Sequence, residues 1–139
     1  CHLSYSIEES EDWVQSRSSA WSEGEEFSFV IYELGNNEIL GGIGINQINR
    51  IHQIGNLGYW VRKKALRKGV ATEAVLLLTA YGFEQLGLTR IEIVTLPENT
   101  ASNKVAEKVG ARFEGVLQNR LVVHGVPREA CMYSLVKNA

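Results

Sequence analysis

The chain has 139 residues, 45% of them apolar and 22% charged, and its 14 Lys and Arg against 16 Asp and Glu leave a formal charge of −2. That balance excludes a disordered or fibrous chain, and the length predicts one domain over residues 1–139. No run of about 18 apolar residues is present to cross a membrane, and the acidic, polar start predicts no signal peptide.

In chain order, Ser6-Ile7-Glu8-Glu9 has the spacing of a capping box and predicts a helix running to about Trp21. Phe27–Glu33 alternates like a strand. Gly35-Asn36-Asn37 reads as a turn, and Ile39–Ile45 as the returning strand. Gly41, Gly42 and Gly44 mark a place of close backbone approach or a bulge. Gln47 at the third glycine position argues against a dinucleotide fingerprint. Asn56–Val61 predicts a third strand. Gly69–Leu86 is the clearest helix: Val70, Ala74, Leu77 and Tyr81 recur at helical spacing, Ala71, Val75 and Leu78 widen the stripe, and Gly87 ends it. Ile91–Leu96 predicts a buried strand stopped by Pro97, and Thr100–Val109 a short helix. Phe113–Val123 and Arg128–Val136 predict a hairpin around His124-Gly125-Val126-Pro127. The fold class is α/β (α+β): a mixed, mostly antiparallel sheet flanked by helices, with one βαβ crossover between Trp60 and Leu96.

Cys1 and Cys131 make no disulfide framework, and with three scattered histidines and no CxxC the chain predicts no metal site. Cys131 lies in the apolar run ACMYSLV and reads as a small core residue. The charge is split. Residues 1–60 carry nine acids against two bases, a net of −7, and residues 61–139 carry a net of +5. Arg62, Lys63, Lys64, Arg67 and Lys68 crowd the loop before Gly69. This loop opens directly into the helix, whose first-turn amides and dipole favour an anion. Gly69 and Ala71 lack the bulk that would keep a phosphate from the backbone. A solvated loop is the plain alternative. Nucleic acid is disfavoured, because the chain is acidic and has no second basic patch. No GxxxxGK[ST] string is present.

Three blocks in fixed order, GYWV with RKGVATEA, then ENTASNKVAEKVGARFEGVL, then RLVVHG with CMYSL, resemble the GNAT superfamily of acetyl-CoA-dependent N-acetyltransferases, and within it the RimJ/RimL branch that acetylates ribosomal-protein amino termini. The resemblance implies a site. Arg67, Lys68, Gly69, Val70, Ala71 and Thr72 would hold the pyrophosphate of acetyl-CoA. Trp60, Val61 and Arg62 would splay from the Ile93–Leu96 strand so that the pantetheine arm enters the gap and bonds to strand backbone, as in β-augmentation. The amide near Val61 would polarise the thioester carbonyl. Asn99 and Asn103 would touch the cofactor arm, Asn99 also capping its helix. Ser102 matches a serine of the RimL-like branch that protonates the leaving thiolate, with helix capping as its alternative role.

The chain departs from the family pattern in three places. Leu66 stands where the loop often has Gln or Arg. Ala106 stands where many members have a general-acid Tyr. Asn56-Leu57 replaces a carboxylate before the Gly-Tyr pair. Glu26, Glu92, Glu98 and His52 are the candidate bases, and each reads first as a surface group. An α-amine, with a pKa near 7.7–8, needs less help than a lysine near 10.4, which favours an amino terminus or another weakly basic amine.

The resemblance therefore implies an acetyltransferase acting by direct attack in a ternary complex, on a peptide amino terminus or a small amine. The alternative is a non-catalytic acetyl-CoA-binding or sensing module. A cytoplasmic location and a possible homodimer are implied too. The acidic half would suit a cationic acceptor. Because little precedes Ser6, the family's first strand is expected to be missing, leaving a sheet edge exposed or covered by a partner.

Overall fold

The computed structural model describes residues 26–66 and 69–138, and the backbone of residues 5–9. Strands β1 (Tyr5–Glu9), β2 (Phe27–Glu33), β3 (Ile39–Asn49) and β4 (Ile54–Val61) come first. A 3₁₀ turn at Lys63–Ala65 leads to helix α1 (Val70–Glu84). Strand β5 (Arg90–Thr95), helix α2 (Thr100–Lys108) and strands β6 (Arg112–Val123) and β7 (Val126–Val136) complete the described elements. The strands form one seven-stranded sheet in the order β1-β2-β3-β4-β5-β7-β6. Every neighbouring pair is antiparallel except β4–β5, the expected crossover. Among the described residues no helix is long and apolar enough to cross a membrane.

One expectation at the start of the chain is corrected. Ser6 does not open a helix: Tyr5–Glu9 is a strand, with Ser6 opposite Tyr32 and Glu9 opposite Phe29. A capping box offers two local hydrogen bonds, whereas pairing with β2 offers the whole segment a ladder. β1 rather than β2 therefore forms that edge of the sheet. The remainder of the expected first helix, to Trp21, lies outside the described residues.

The core lies on one face of the sheet. Ile31, Ile43, Ile45, Leu57, Ile91 and Ile93 pack against Val70, Ala74, Val75 and Leu78 of α1 and Ala106 of α2. The buried face of α1 is turned slightly from the predicted stripe: Val75, Leu78 and Gly82 point inward, while Leu77 is exposed. Gly82 explains the turn. A Cβ there would stand 2.8 Å from Ile91 Cδ1, so the helix lies closest to the sheet where it has no side chain. Tyr81, at the flank of this face, meets Phe29 edge-on at 5.3 Å. Cys131 is buried, as its apolar run implies.

The final hairpin is tighter than expected. Its turn is His124-Gly125 alone, both with positive φ (51° and 78°), as a two-residue type I′ turn requires. Val126 and Pro127 already belong to β7, opposite Val123 and Val122.

Candidate acetyl-transfer site

β4 and β5 part company soon after they meet. They pair only over Ile54–Asn56 and Arg90–Glu92. Beyond that point β4 stays on β3 as far as Val61, and β5 stays on β7 as far as Thr95. Two strand edges thus face each other without being paired together, Leu57–Val61 on one side and Ile93–Thr95 on the other. The open wedge is the splay expected between Trp60–Arg62 and Ile93–Leu96. Backbone polar groups along such an edge require partners, and an extended ligand can supply them.

At the same end of the sheet α1 begins. Gly69 is its N-cap, with φ 77° and ψ 4°, and a Cβ on Gly69 would meet nothing within 4 Å. The first α-helical bond runs from Glu73 N–H to Gly69 C=O at 3.0 Å, so the amides of Ala71 and Thr72 precede it. Val70 is buried against the core. Of the basic loop, Arg62, Lys63 and Lys64 are exposed, and Lys64 pairs with Glu38, holding the Glu38 carboxyl below its usual range. Arg67 and Lys68 lie outside the described residues.

The start of α2 closes the other side. Asn99 caps it, its Oδ1 accepting from Ser102 N–H at 3.2 Å, so the capping role is filled by Asn99 rather than by Ser102. Asn103 is held within the protein. Its Oδ1 accepts from the hydroxyls of Thr95 (2.5 Å) and Tyr133 (3.4 Å), and its Nδ2 donates to the Pro97 carbonyl at 3.2 Å. Asn103 thus fastens α2 to the end of β5. Ser102 is half-buried, and its hydroxyl accepts a hydrogen bond from the Tyr59 hydroxyl at 3.4 Å. Burial raises the Tyr59 pKa, and the bond to Ser102 partly offsets this. Tyr59 stands in the unpaired stretch of β4, so the pair bridges the wedge.

The opposite face of β2, β3 and β4 carries a cavity of about 510 Å³ lined by Glu26, Ser28, Asn46, Gly58, Trp60 and Arg62, among others. The Trp60 side chain lies here and not in the wedge: a Cβ on Gly42 would stand 2.7 Å from its indole nitrogen. Gly41 and Gly44 meet the expectation of close backbone approach. Cβ atoms there would stand 2.2 Å from the Trp60 carbonyl oxygen and 2.8 Å from that of Phe27.

The candidate bases separate clearly. Glu92 is bound to Arg90 at 2.9 Å and Glu98 to Arg128 at 2.6 Å. His52 is exposed in the turn before β4, whereas Glu26 lines the cavity. Ala106, at the family's tyrosine position, is fully buried. Two residues were missed in sequence. Tyr59 was visible only as part of GYWV, and Ser28 gave no signal. Each acquires its neighbours through strand register.

Residues 2–112 match the model of the acetyltransferase (GNAT) domain. The chain belongs to the GNAT acetyltransferase family. It is 32% identical over 132 residues to the uncharacterized N-acetyltransferase YoaA of Bacillus subtilis, covering 95% of this chain and 75% of that one. It is 24% identical over 131 residues to the ribosomal-protein-serine acetyltransferase of Escherichia coli, covering 94% of this chain and 72% of that one. The solved structure of Mycobacterium smegmatis RimJ in complex with CoA-disulfide superposes with a TM-score of 0.77 at 28% identity, covering 90% of this chain and 58% of that one. This GNAT chain is accordingly an N-acetyltransferase of RimJ/RimL-like kind, acting on an amine.

Proposed function

We propose that this acetyltransferase takes the acetyl group of acetyl-CoA through the β4–β5 wedge and delivers it to a primary amine held in the Glu26–Trp60 cavity. The observation that carries the reading is the wedge itself: an unpaired strand edge with an open helix N-terminus at one end and a cavity on the far face of the same strand. Acetyl-CoA supplies an activated acetyl thioester; the remaining work falls to the chain's own residues.

The backbone of Gly69, Val70, Ala71 and Thr72, with Arg67 and Lys68, binds the pyrophosphate. The backbone of Trp60, Val61 and Arg62 orients the pantetheine arm, and the Val61 amide holds the thioester carbonyl. The Arg62 amide is not part of this set, because it donates to the Leu40 carbonyl at 2.7 Å. Asn99 orders the first turn of α2, and Asn103 fixes that turn against β5. Their closeness to the arm comes from these positions. Ser102 holds the proton that the departing sulfur requires, and Tyr59 donates to Ser102. The acceptor must arrive as a neutral amine. Among the described residues Glu26 is the carboxylate that lines the cavity, at its β2 end, and a weakly basic α-amine needs no carboxylate of its own at the wedge. The acceptor class is a peptide amino terminus or a small amine. The cytoplasm is the compartment this reading implies, with a homodimer as the assembly.

The test follows thiol release from acetyl-CoA against a panel of peptides and small amines, including polyamines. Turnover with any amine supports the enzyme. Tight binding of acetyl-CoA with no turnover across the panel would replace it with a binding module.

A further inference from the structure

The cavity floor has an unusual register. Ser28 lies opposite Gly44, and Gly44 lies opposite Gly58, so one transverse row across β2, β3 and β4 holds no side chain larger than a hydroxymethyl. Directly opposed residues share a face of the sheet. The rows on either side are filled: Val30, Gly42 and Trp60 on one, and the Asn46–Asn56 pair on the other, where Asn56 Nδ2 donates to Asn46 Oδ1 at 3.0 Å. The result is a trench one residue wide running from the wedge, beside Gly58, to Ser28. Two strand spacings make it about 10 Å long.

A row of small residues alone would say nothing about a ligand. The second observation is at its far end. Ser28 is 3% exposed, and its hydroxyl has no hydrogen-bond partner. This hydroxyl leans along the trench, since a Cβ on Gly44 would stand 3.2 Å from Ser28 Oγ. Buried hydroxyls are ordinarily paired, and one left unpaired destabilises the fold. The hydroxyl both donates and accepts, so a neutral hydroxyl or amide can pair with it directly, whereas an ammonium end would turn to Glu26, the carboxylate of the same cavity.

We infer that Ser28 is a specificity-determining residue. The acceptor lies across the sheet in the Gly58–Gly44–Ser28 trench, with its reacting amine at the wedge and a neutral hydrogen-bonding group, a hydroxyl or an amide, about 10 Å away at Ser28. This rests on the proposed acetyl transfer at the wedge and adds which amines are taken.

The experiment uses unbranched amines of equal length, spanning about 10 Å and ending in methyl, hydroxyl, carboxamide or ammonium. The full chain with acetyl-CoA should favour the hydroxyl and carboxamide ends over methyl by about tenfold in kcat/KM, and Ser28→Ala should erase that preference. Ser28→Ala should also melt about 2–4 °C higher, because an unpaired buried group has gone. Gly58→Leu, whose added side chain starts in open space, should weaken every acceptor by a larger factor than it weakens acetyl-CoA. A preference that survives Ser28→Ala, an ammonium end favoured equally by both proteins, or a lower melting temperature in Ser28→Ala would overturn the inference. If no amine turns over, acetyl transfer fails separately. Calorimetric titration of the same four amines into the CoA-saturated chain then reads the contrast directly, and equal affinities there would overturn it.

Discussion

Gly69 and Ser102 carry the sharpest expectations at the scale of single residues. Gly69 combines a left-handed φ with empty space where a Cβ would stand. Gly69→Glu therefore puts a carboxylate into the anion site and adds a backbone penalty of about 1 kcal/mol. Acetyl-CoA binding, followed by calorimetry, should be lost. Gly69→Ala should retain most of it, and unchanged affinity in the Glu variant would mean that the pyrophosphate lies elsewhere. Ser102→Ala should lower kcat by about 10²-fold with little change in the KM for acetyl-CoA, as loss of a proton donor used only in the transition state does. Tyr59→Phe should give a smaller fall in the same direction, since Tyr59 touches Ser102 rather than the sulfur. Equal kcat in Ser102→Ala would remove both from the mechanism.

The strands and helices show why these residues meet. β3 and β4 run so close that Gly41 faces the Trp60 carbonyl at less than contact distance for any Cβ. Gly41→Ala should thus destabilise by about 3 kcal/mol, because the obstacle is backbone and cannot swing aside. Urea denaturation checks this. Across β5, β6 and β7, Arg90 binds Glu114 through two bonds at 2.9 and 2.6 Å, and Ser134 donates to the same carboxylate at 2.7 Å. The Arg90 guanidinium first, and then Ser134, hold the Glu114 pKa down at about 2. The folded carboxyl is depressed below its unfolded value, so its contribution is complete above about pH 4.5. It is lost as pH falls from there toward about 2. Glu114→Gln should flatten the stability–pH profile across that window and leave its slope near neutrality alone. A profile unchanged in the variant would mean that the three-strand network does not stabilise the fold. β6, the outer strand on this side, is interrupted by bulges at Phe113/Gly115 and Leu117/Leu121, which twist an edge away from further pairing.

On the scale of the whole molecule, one topological choice creates the site. A parallel pair in an otherwise antiparallel sheet needs a crossover helix, and here α1 starts at the mouth of the wedge that the pair leaves open. Binding of acetyl-CoA should slow amide hydrogen exchange in Leu57–Val61, in Ile93–Thr95 and in the first turn of α1. The β6–β7 hairpin should not respond. Protection confined to the hairpin would place the cofactor elsewhere.

The sequence by itself determined the strands and helices from Phe27 onward, the crossover, the helix start at Gly69 and, through three ordered blocks, the family. These depend on contiguous signals: helical spacing in Val70–Leu78, β-branched runs in Ile91–Thr95, and a glycine at the helix start. Tertiary structure decided the rest. Ser6–Glu9 looked like a helix start until β2 offered it a ladder, and the inward face of α1 was set by how closely Gly82 approaches Ile91. Tyr59 and Ser102 are 43 residues apart, and Ser28, Gly44 and Gly58 lie on three strands. Packing of α2 against the sheet joins the first pair; register joins the other three, and register is fixed by which face of every strand the core buries, a property of the packed sheet and not of any single segment.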